Sequence, residues 1–427
     1  MVFQKSDYKI HIVGAGVSGL VAATVLEKNG YSPVIIESTD RVGGRVKTDF
    51  HDTIPFDHGF QVLLTAYPMA QKYLDMNDLE LSYFDPGAVI WRDGKINTIG
   101  DPLRNFLFAI PTLVSKIGTI ADKIKILKLQ QRLRKKTIEQ IFESPEMTTM
   151  EYLKDFGFSD KMIAPFFVPF FSGIFLETNL TTSSRMFEFV YKMFGEGLAA
   201  IPKKGIEAIP NQLKSKLHQT EFRFNTKVVN VTDGCISLED GKKIQSDLTI
   251  IATDANSLVS NLRYQDFQWK GCDTLYFEVK KPVSKFKVIQ LIADEKSLIN
   301  NVFSLNDVYQ YKTDTHVLSV TLVKAHKLSK DTLVKRVSEE LREYLGMTEV
   351  KFLKQYSIQK ALPDVNNVQI SISPEETRLT SRIFLAGDAL LNGSLNGAMQ
   401  AGELAALGVV HLLEESQDLA QFTSEYI

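Results

Sequence analysis

Residues 8–13, followed by Gly14-Ala15-Gly16-Val17-Ser18-Gly19, constrain this chain more than any other feature. A short buried strand runs into three spaced glycines, and Leu20–Lys28 leaves them as a helix with Gly30 as its stop signal. Val34–Ile36 reads as a second apolar strand ending at Glu37, an acid about 20 residues beyond the turn. Each glycine has a physical task. Gly14 allows the tight turn, Gly16 lets the backbone approach a pyrophosphate, and Gly19 lets helix and strand pack closely. The helix start at Gly16–Ser18 offers free N–H groups and a positive dipole end to phosphates. Glu37 can accept hydrogen bonds from a ribose hydroxyl pair. The pattern marks a dinucleotide-binding α/β unit without naming the dinucleotide.

Composition narrows the remaining possibilities. A chain of 427 residues has length for two or three domains, and 44% hydrophobic with 23% charged residues is ordinary globular usage. Lys+Arg is 49 against Asp+Glu 51, so no whole-chain charge draws it to nucleic acid. The two cysteines, Cys235 and Cys272, make no disulfide framework and lack metal-site spacing, so no metal centre is expected. No uncharged apolar run reaches about 18 residues, and the N-terminus does not read as a secretory signal. A cytoplasmic, reducing location is the expectation.

Arg41-Val42-Gly43-Gly44-Arg45 follows Glu37 closely. This Arg-x-Gly-Gly-Arg resembles the extended fingerprint of FAD enzymes in the amine oxidase, protoporphyrinogen oxidase and phytoene desaturase superfamily. The resemblance implies bound FAD, with Arg41 in its fingerprint. Gly43 and Gly44 would let the chain pass beside the cofactor, and Arg45 would offer a planar donor fork. Asp57-His58-Gly59 continues it as the D-x-G segment that passes near the flavin in that family. His58 itself reads as a surface-loop residue. Residues 221–252 read as a strand meander ending near Thr253. Val228 matches the family's strand valine, which contacts the adenine end through its backbone. Ile383–Leu385 leads into Gly387-Asp388, and Asn396-Gly397-Ala398 opens a helix over about 398–414. By the same resemblance, Asp388 would bind the ribityl or pyrophosphate portion. The helix start would face the flavin N1–C2=O edge, where reduction builds negative charge.

These segments imply an α/β fold: a Rossmann-like FAD-binding domain assembled from 1–81, 201–261 and 351–427. Residues 82–200 and 262–350 would form a mixed α+β substrate domain with a helical insertion. In that insertion Asp101 can cap a helix, with Pro102 at its first position. Leu103, Phe106, Leu107, Ile110, Val114 and Ile117 recur at helical spacing, and Pro111 should kink or end that helix. Thr119–Asp122 reads as a capping-box variant before a basic amphipathic helix. Peripheral membrane contact through 103–136 is therefore an expectation. The aromatic stretches 164–176 and 182–194 supply core, and some of their side chains should line a substrate pocket. Pro165 and Pro169 argue against one uninterrupted helix.

The flavin would carry the chemistry, its N5 taking a hydride from a substrate carbon. The implied activity is an FAD-dependent oxidoreductase acting on a largely apolar or amine substrate, at C–C or C–N. Oxygen or a quinone would accept the electrons. The family's amine oxidases use a lysine near the flavin, and here that position falls near Cys272 and Asp273, with Lys270 offset. No cysteine adjoins the C-terminal motif, so FAD should be noncovalent. The alternatives are a redox-neutral flavin-dependent isomerase or a non-catalytic FAD-binding protein, since fold does not fix function.

Overall fold

The computed structural model describes residues 5–260, 262, 268–310 and 314–415. The expected boundary at 261 and both chain ends lie outside that set.

Five short strands drawn from across the chain form one parallel sheet, in the order Glu221–Arg223, Val34–Ile36, Ile10–Val13, Leu248–Ile251, Ile383–Leu385. The central strands are buried on both faces, as in a parallel sheet covered on both sides, with His11 and Thr249 as paired polar residues among the apolar ones. Helix Val17–Lys28 packs against the C-terminal helix Leu395–Glu415. The approach is so close that a Cβ on Gly402 would stand 2.2 Å from the Ser18 carbonyl oxygen. Val13, Ile36, Ile251 and Leu385 end their strands in register. Ligands bind outside such carboxyl ends in open parallel sheets.

The stretch 221–252 is not one meander. Its first and last strands enter the parallel sheet, where Val34–Ile36 and Ile10–Val13 offer open ladders. Val228–Thr232, Cys235–Leu238 and Lys243–Gln245 form a separate antiparallel sheet.

A second large sheet has seven strands, in the order Val350–Pro363, Trp269–Val279, His316–Leu322, Ile299–Ser304, Ile289–Ile292, Gly87–Arg92, Lys95–Gly100. Val350–Pro363 pairs along its length with Trp269–Val279, so the boundary expected at 351 comes a strand too early. One face of this sheet, including Leu275, Phe277, Leu318 and Val320, packs on helix Lys330–Leu345. The alternate residues Cys272, Thr321 and Asn301 turn the other way.

The insertion departs from expectation in one place. Thr119 and Asp122 form the capping box and Ile120–Lys135 is helical. The apolar residues before them make no long helix, however. A turn at Phe106–Phe108, capped by Asn105, leads into the short helix Ala109–Val114. Pro111 lies in its first turn, where a missing N–H forfeits no intrahelical bond. Asp101 caps no helix and accepts from Leu103 N instead. Phe108 alone of 103–114 is fully buried. A Cβ on Gly100 would stand 2.3 Å from its ring, so this glycine is what admits it.

Pro165 sits in a π-helical turn, Ile163–Phe167, that runs on into helix Val168–Phe175, so the interruption is a bulge rather than a break. Among the described residues no helix is long and apolar enough to cross a membrane.

Candidate active site: a cavity between the two sheets

A cavity of about 1370 Å³ extends from the strand ends of the parallel sheet to the seven-stranded sheet. It exceeds the roughly 300–1,000 Å³ of ordinary small-molecule sites. A dinucleotide and a substrate together can occupy such a volume.

At the strand ends, Gly14 turns the chain with φ +106°, and a Cβ there would meet the Ala252 carbonyl oxygen at 2.9 Å. Gly16 is different: a Cβ there would meet nothing within 4 Å. It is the N-cap of helix Val17–Lys28 and brings no side chain to satisfy the first N–H groups. The Ser18 hydroxyl donates to the Ala398 carbonyl at 2.7 Å and so ties this helix start to that of the C-terminal helix. Glu37 is buried. One carboxylate oxygen accepts from Ala15 N at 2.8 Å, and the other accepts from Thr39 N at 2.9 Å and Thr39 Oγ1 at 2.8 Å.

Gly43 and Gly44 lie alongside, with φ +122° and +61°. Gly43 N donates to the Ala15 carbonyl at 2.9 Å. Arg45 then reaches Asp388, which follows Gly387 (φ +134°) after the last parallel strand. Val228, Thr253 and Ala398 complete this half of the lining. Segments from both ends and the middle of the chain thus converge on one wall.

Four expected residues do not reach the cavity surface. Gly19 packs against the turn, where a Cβ would stand 2.1 Å from the Gly14 carbonyl oxygen. Arg41 turns to Asp49 at 2.8 Å and Glu207 at 3.3 Å. Asn396 accepts from Met69 N at 3.0 Å, and Gly397 lies against Asn392. The last helix begins at Leu395, with Gly397 N already donating to Ser394 Oγ at 2.9 Å.

The other half of the cavity is aromatic. Phe166, Phe170, Phe171, Tyr191 and Phe194 line it, while Phe167, Phe187 and Phe189 fill the core behind. The seven-stranded sheet contributes Lys270, Cys272, Asn301 and Thr321. Lys270 Nζ is 2.9 Å from Asp364 and 3.3 Å from Thr182 Oγ1. Burial and the neighbouring Asp273 push the Cys272 thiol up to about 12, so it stays protonated and a poor nucleophile.

His58 is not a free loop residue: it lines the cavity, its Nε2 lies 3.0 Å from Asp49, and it stacks on Tyr356 at 4.2 Å. Burial pushes the Asp49 carboxyl up, but hydrogen bonds from Arg41, His58 and Tyr356 outweigh it and hold it down at about 2. Sequence reading missed Trp269 and Lys360, which also line the cavity. Arg45 and Lys360 both sit over the Trp269 ring, at 5.3 and 5.5 Å. Their alternation becomes visible only with the register of 269–279 against 350–363.

These features fit a bound dinucleotide. Gly16, where an added Cβ would meet nothing within 4 Å, opens a helix start with no side-chain cap, and the volume is ample.

Comparison with known proteins agrees. The chain is 28% identical over 164 residues to protoporphyrinogen oxidase 2, chloroplastic/mitochondrial, of Arabidopsis thaliana, covering 38% of this chain and 32% of that protein. It is 30% identical over 153 residues to an L-amino-acid oxidase of Sistrurus catenatus edwardsii, covering 34% and 30%. The matched stretch thus spans about a third of each curated relative. An oxidoreductase from Methanosarcina mazei superposes with a TM-score of 0.71 at 16% identity, covering 94% of this chain and 100% of that one, and shows a shared fold. The family described as flavin containing amine oxidoreductase matches residues 17–410. With nearly its whole length so matched, the chain belongs to the flavin-containing amine oxidoreductase family.

Proposed function

We propose that FAD lies noncovalently along the strand-end half of the cavity, and that a largely apolar or amine substrate enters the aromatic half. What supports this reading is the convergence of residues 14, 16–18, 37, 43–45, 228, 253, 387–388 and 398 on one wall continuous with that aromatic pocket. When bound, the cofactor supplies a two-electron acceptor for dehydrogenation at a C–C or C–N bond. Gly16 and the helix start behind it receive the phosphates. Glu37 braces the turn and offers its carboxylate to the ribose. The Arg45–Asp388 pair would lie against the middle of the cofactor, with the Arg45 guanidinium as its exposed member. The phenylalanines exclude water and hold the reacting carbon of the substrate. Lys270 Nζ, ion-paired with Asp364 in the pocket wall, would hold or move a proton there. With Cys272 kept as a thiol, the cavity offers no thiolate for a covalent flavin link.

The test is anaerobic titration of the flavin-loaded protein with amines and with apolar alkenes or alicyclic substrates. Bleaching by one class, with turnover only when oxygen or a quinone is added, supports the reading. Turnover without any acceptor would place the protein among redox-neutral isomerases, and absence of bleaching by any class would leave it a flavin binder.

A further inference from the structure

The apolar residues that recur between 103 and 114 face outward. Leu103 is 77% exposed, Phe106 79% and Ile110 74%, with Leu107, Leu113 and Val114 beside them. Six large apolar side chains exposed within residues 103–114 are a concentration of the kind that marks an interaction surface. Phe108 pegs the segment to the protein beneath. Lys123 Nζ donates to the Leu113 and Ser115 carbonyls at 3.0 and 2.9 Å, which fixes the segment to helix Ile120–Lys135.

Charge identifies the partner. Between 102 and 128 the chain carries Arg104, Lys116, Lys123, Lys125 and Lys128 against a single acid, Asp122. Asp122 is buried and spent on its helix cap and on Ser159. Arg104, Lys116 and Lys128 are exposed. The patch is therefore an apolar face with a basic rim, complementary to the headgroups and acyl boundary of an anionic bilayer. A second observation gives it a purpose. Arg104 and Leu127 are exposed at the surface and also line the cavity, so the cavity wall reaches the surface beside the patch.

We propose that residues 103–127 dock this protein on an anionic lipid surface, and that an apolar substrate passes from the bilayer into the aromatic half of the cavity. The second clause rests on the function proposed above; the docking does not.

The experiment uses the full-length, flavin-loaded chain with vesicles of phosphatidylcholine alone or mixed with phosphatidylglycerol. Sedimentation with the mixed vesicles is expected, falling about tenfold at high salt as exposed charges are screened. Phe106→Ser/Ile110→Ser/Leu113→Ser should lose about tenfold or more of vesicle binding while keeping its flavin band, since none of the three lines the cavity. Lys116→Glu/Lys128→Glu should lose binding to the mixed vesicles specifically. Yellow wild-type protein that ignores both vesicles overturns the docking. So does a concentration-dependent dimer abolished by the triple substitution, which would make the patch a contact between copies. Colourless protein that nonetheless sediments would overturn the cofactor reading and leave the docking intact.

Discussion

Arg45 grips Asp388 with two guanidinium nitrogens, Nη1 standing 3.0 Å from Oδ2 and Nη2 bonding Oδ1, across 343 residues of sequence. The pair joins the loop after the second parallel strand to the turn after the last one. Asp388 is nearly sealed, while Arg45 keeps one side open to the cavity. A lysine at 45 would carry the charge without the planar fork. Arg45→Lys should therefore weaken FAD retention and lower stability by about 1–2 kcal/mol, toward the low end for a charged hydrogen bond because Arg45 is half exposed. A double-mutant cycle with Asp388→Asn should show coupling of about 1 kcal/mol. Strict additivity of the two substitutions would mean the pair does no joint work.

Gly16 and Gly19 should separate binding from folding. A side chain at Gly16 meets nothing in the protein and its backbone is ordinary extended, so Gly16→Val should fold with the melting temperature of flavin-free wild type. It should nonetheless lose FAD, because the new methyls occupy the phosphate cradle. Gly19→Val instead drives a Cβ into the Gly14 carbonyl and should destabilise the whole sheet. Stoichiometric flavin in purified Gly16→Val would falsify the cradle assignment.

Asp57 should leave a pH signature on stability. It is fully buried, accepting from Thr48 Oγ1 at 2.6 Å and Ile206 N at 3.0 Å. Burial raises its pKa from 3.8 to about 6. A raised carboxyl favours the protonated folded state, so its stability contribution is full below about 4 and is lost as pH rises toward 6. The loss amounts to about 3 kcal/mol at most, at about 1.4 kcal/mol per unit. Thermal melts of wild type and Asp57→Asn from about pH 4 to pH 7 should diverge in slope. Parallel curves would show that Asp57 ionises as freely folded as unfolded.

Glu37 has a structural duty beside its expected one. Glu37→Ala strands the donors on Ala15 and Thr39 and should cost about 1–3 kcal/mol of stability, with a comparable loss in FAD affinity. Glu37→Gln retains one acceptor for the chain and should recover much of the stability. If FAD affinity does not move in either variant, Glu37 serves the turn alone.

The strand-end wall of the cavity and the turns behind it were legible because their signals are local. Gly14–Gly19, Arg41–Arg45 and Gly387–Asp388 are backbone requirements written in glycine and placed charge within a few residues of each other. The same locality misled in 221–252, where strand candidates next to one another join different sheets, and parallel pairing with distant strands decides the matter. The hairpin Gly87–Arg92 and Lys95–Gly100 was missed although Asp93-Gly94 is a turn signal for it, with φ +51° and +66°. In 103–114 the helical spacing yields only the turn Phe106–Phe108 and the short helix Ala109–Val114, and spacing does not say whether a stripe faces the core or the solvent. Phe108, off the stripe, is the residue that turns in.

The absorbance spectrum of the purified protein tests the central claim most directly. Bands near roughly 370 and 450 nm, the signature of oxidised flavin, are expected at about one flavin per chain, and they should vanish from Gly16→Val. A colourless wild-type protein that takes up no added FAD would contradict the account.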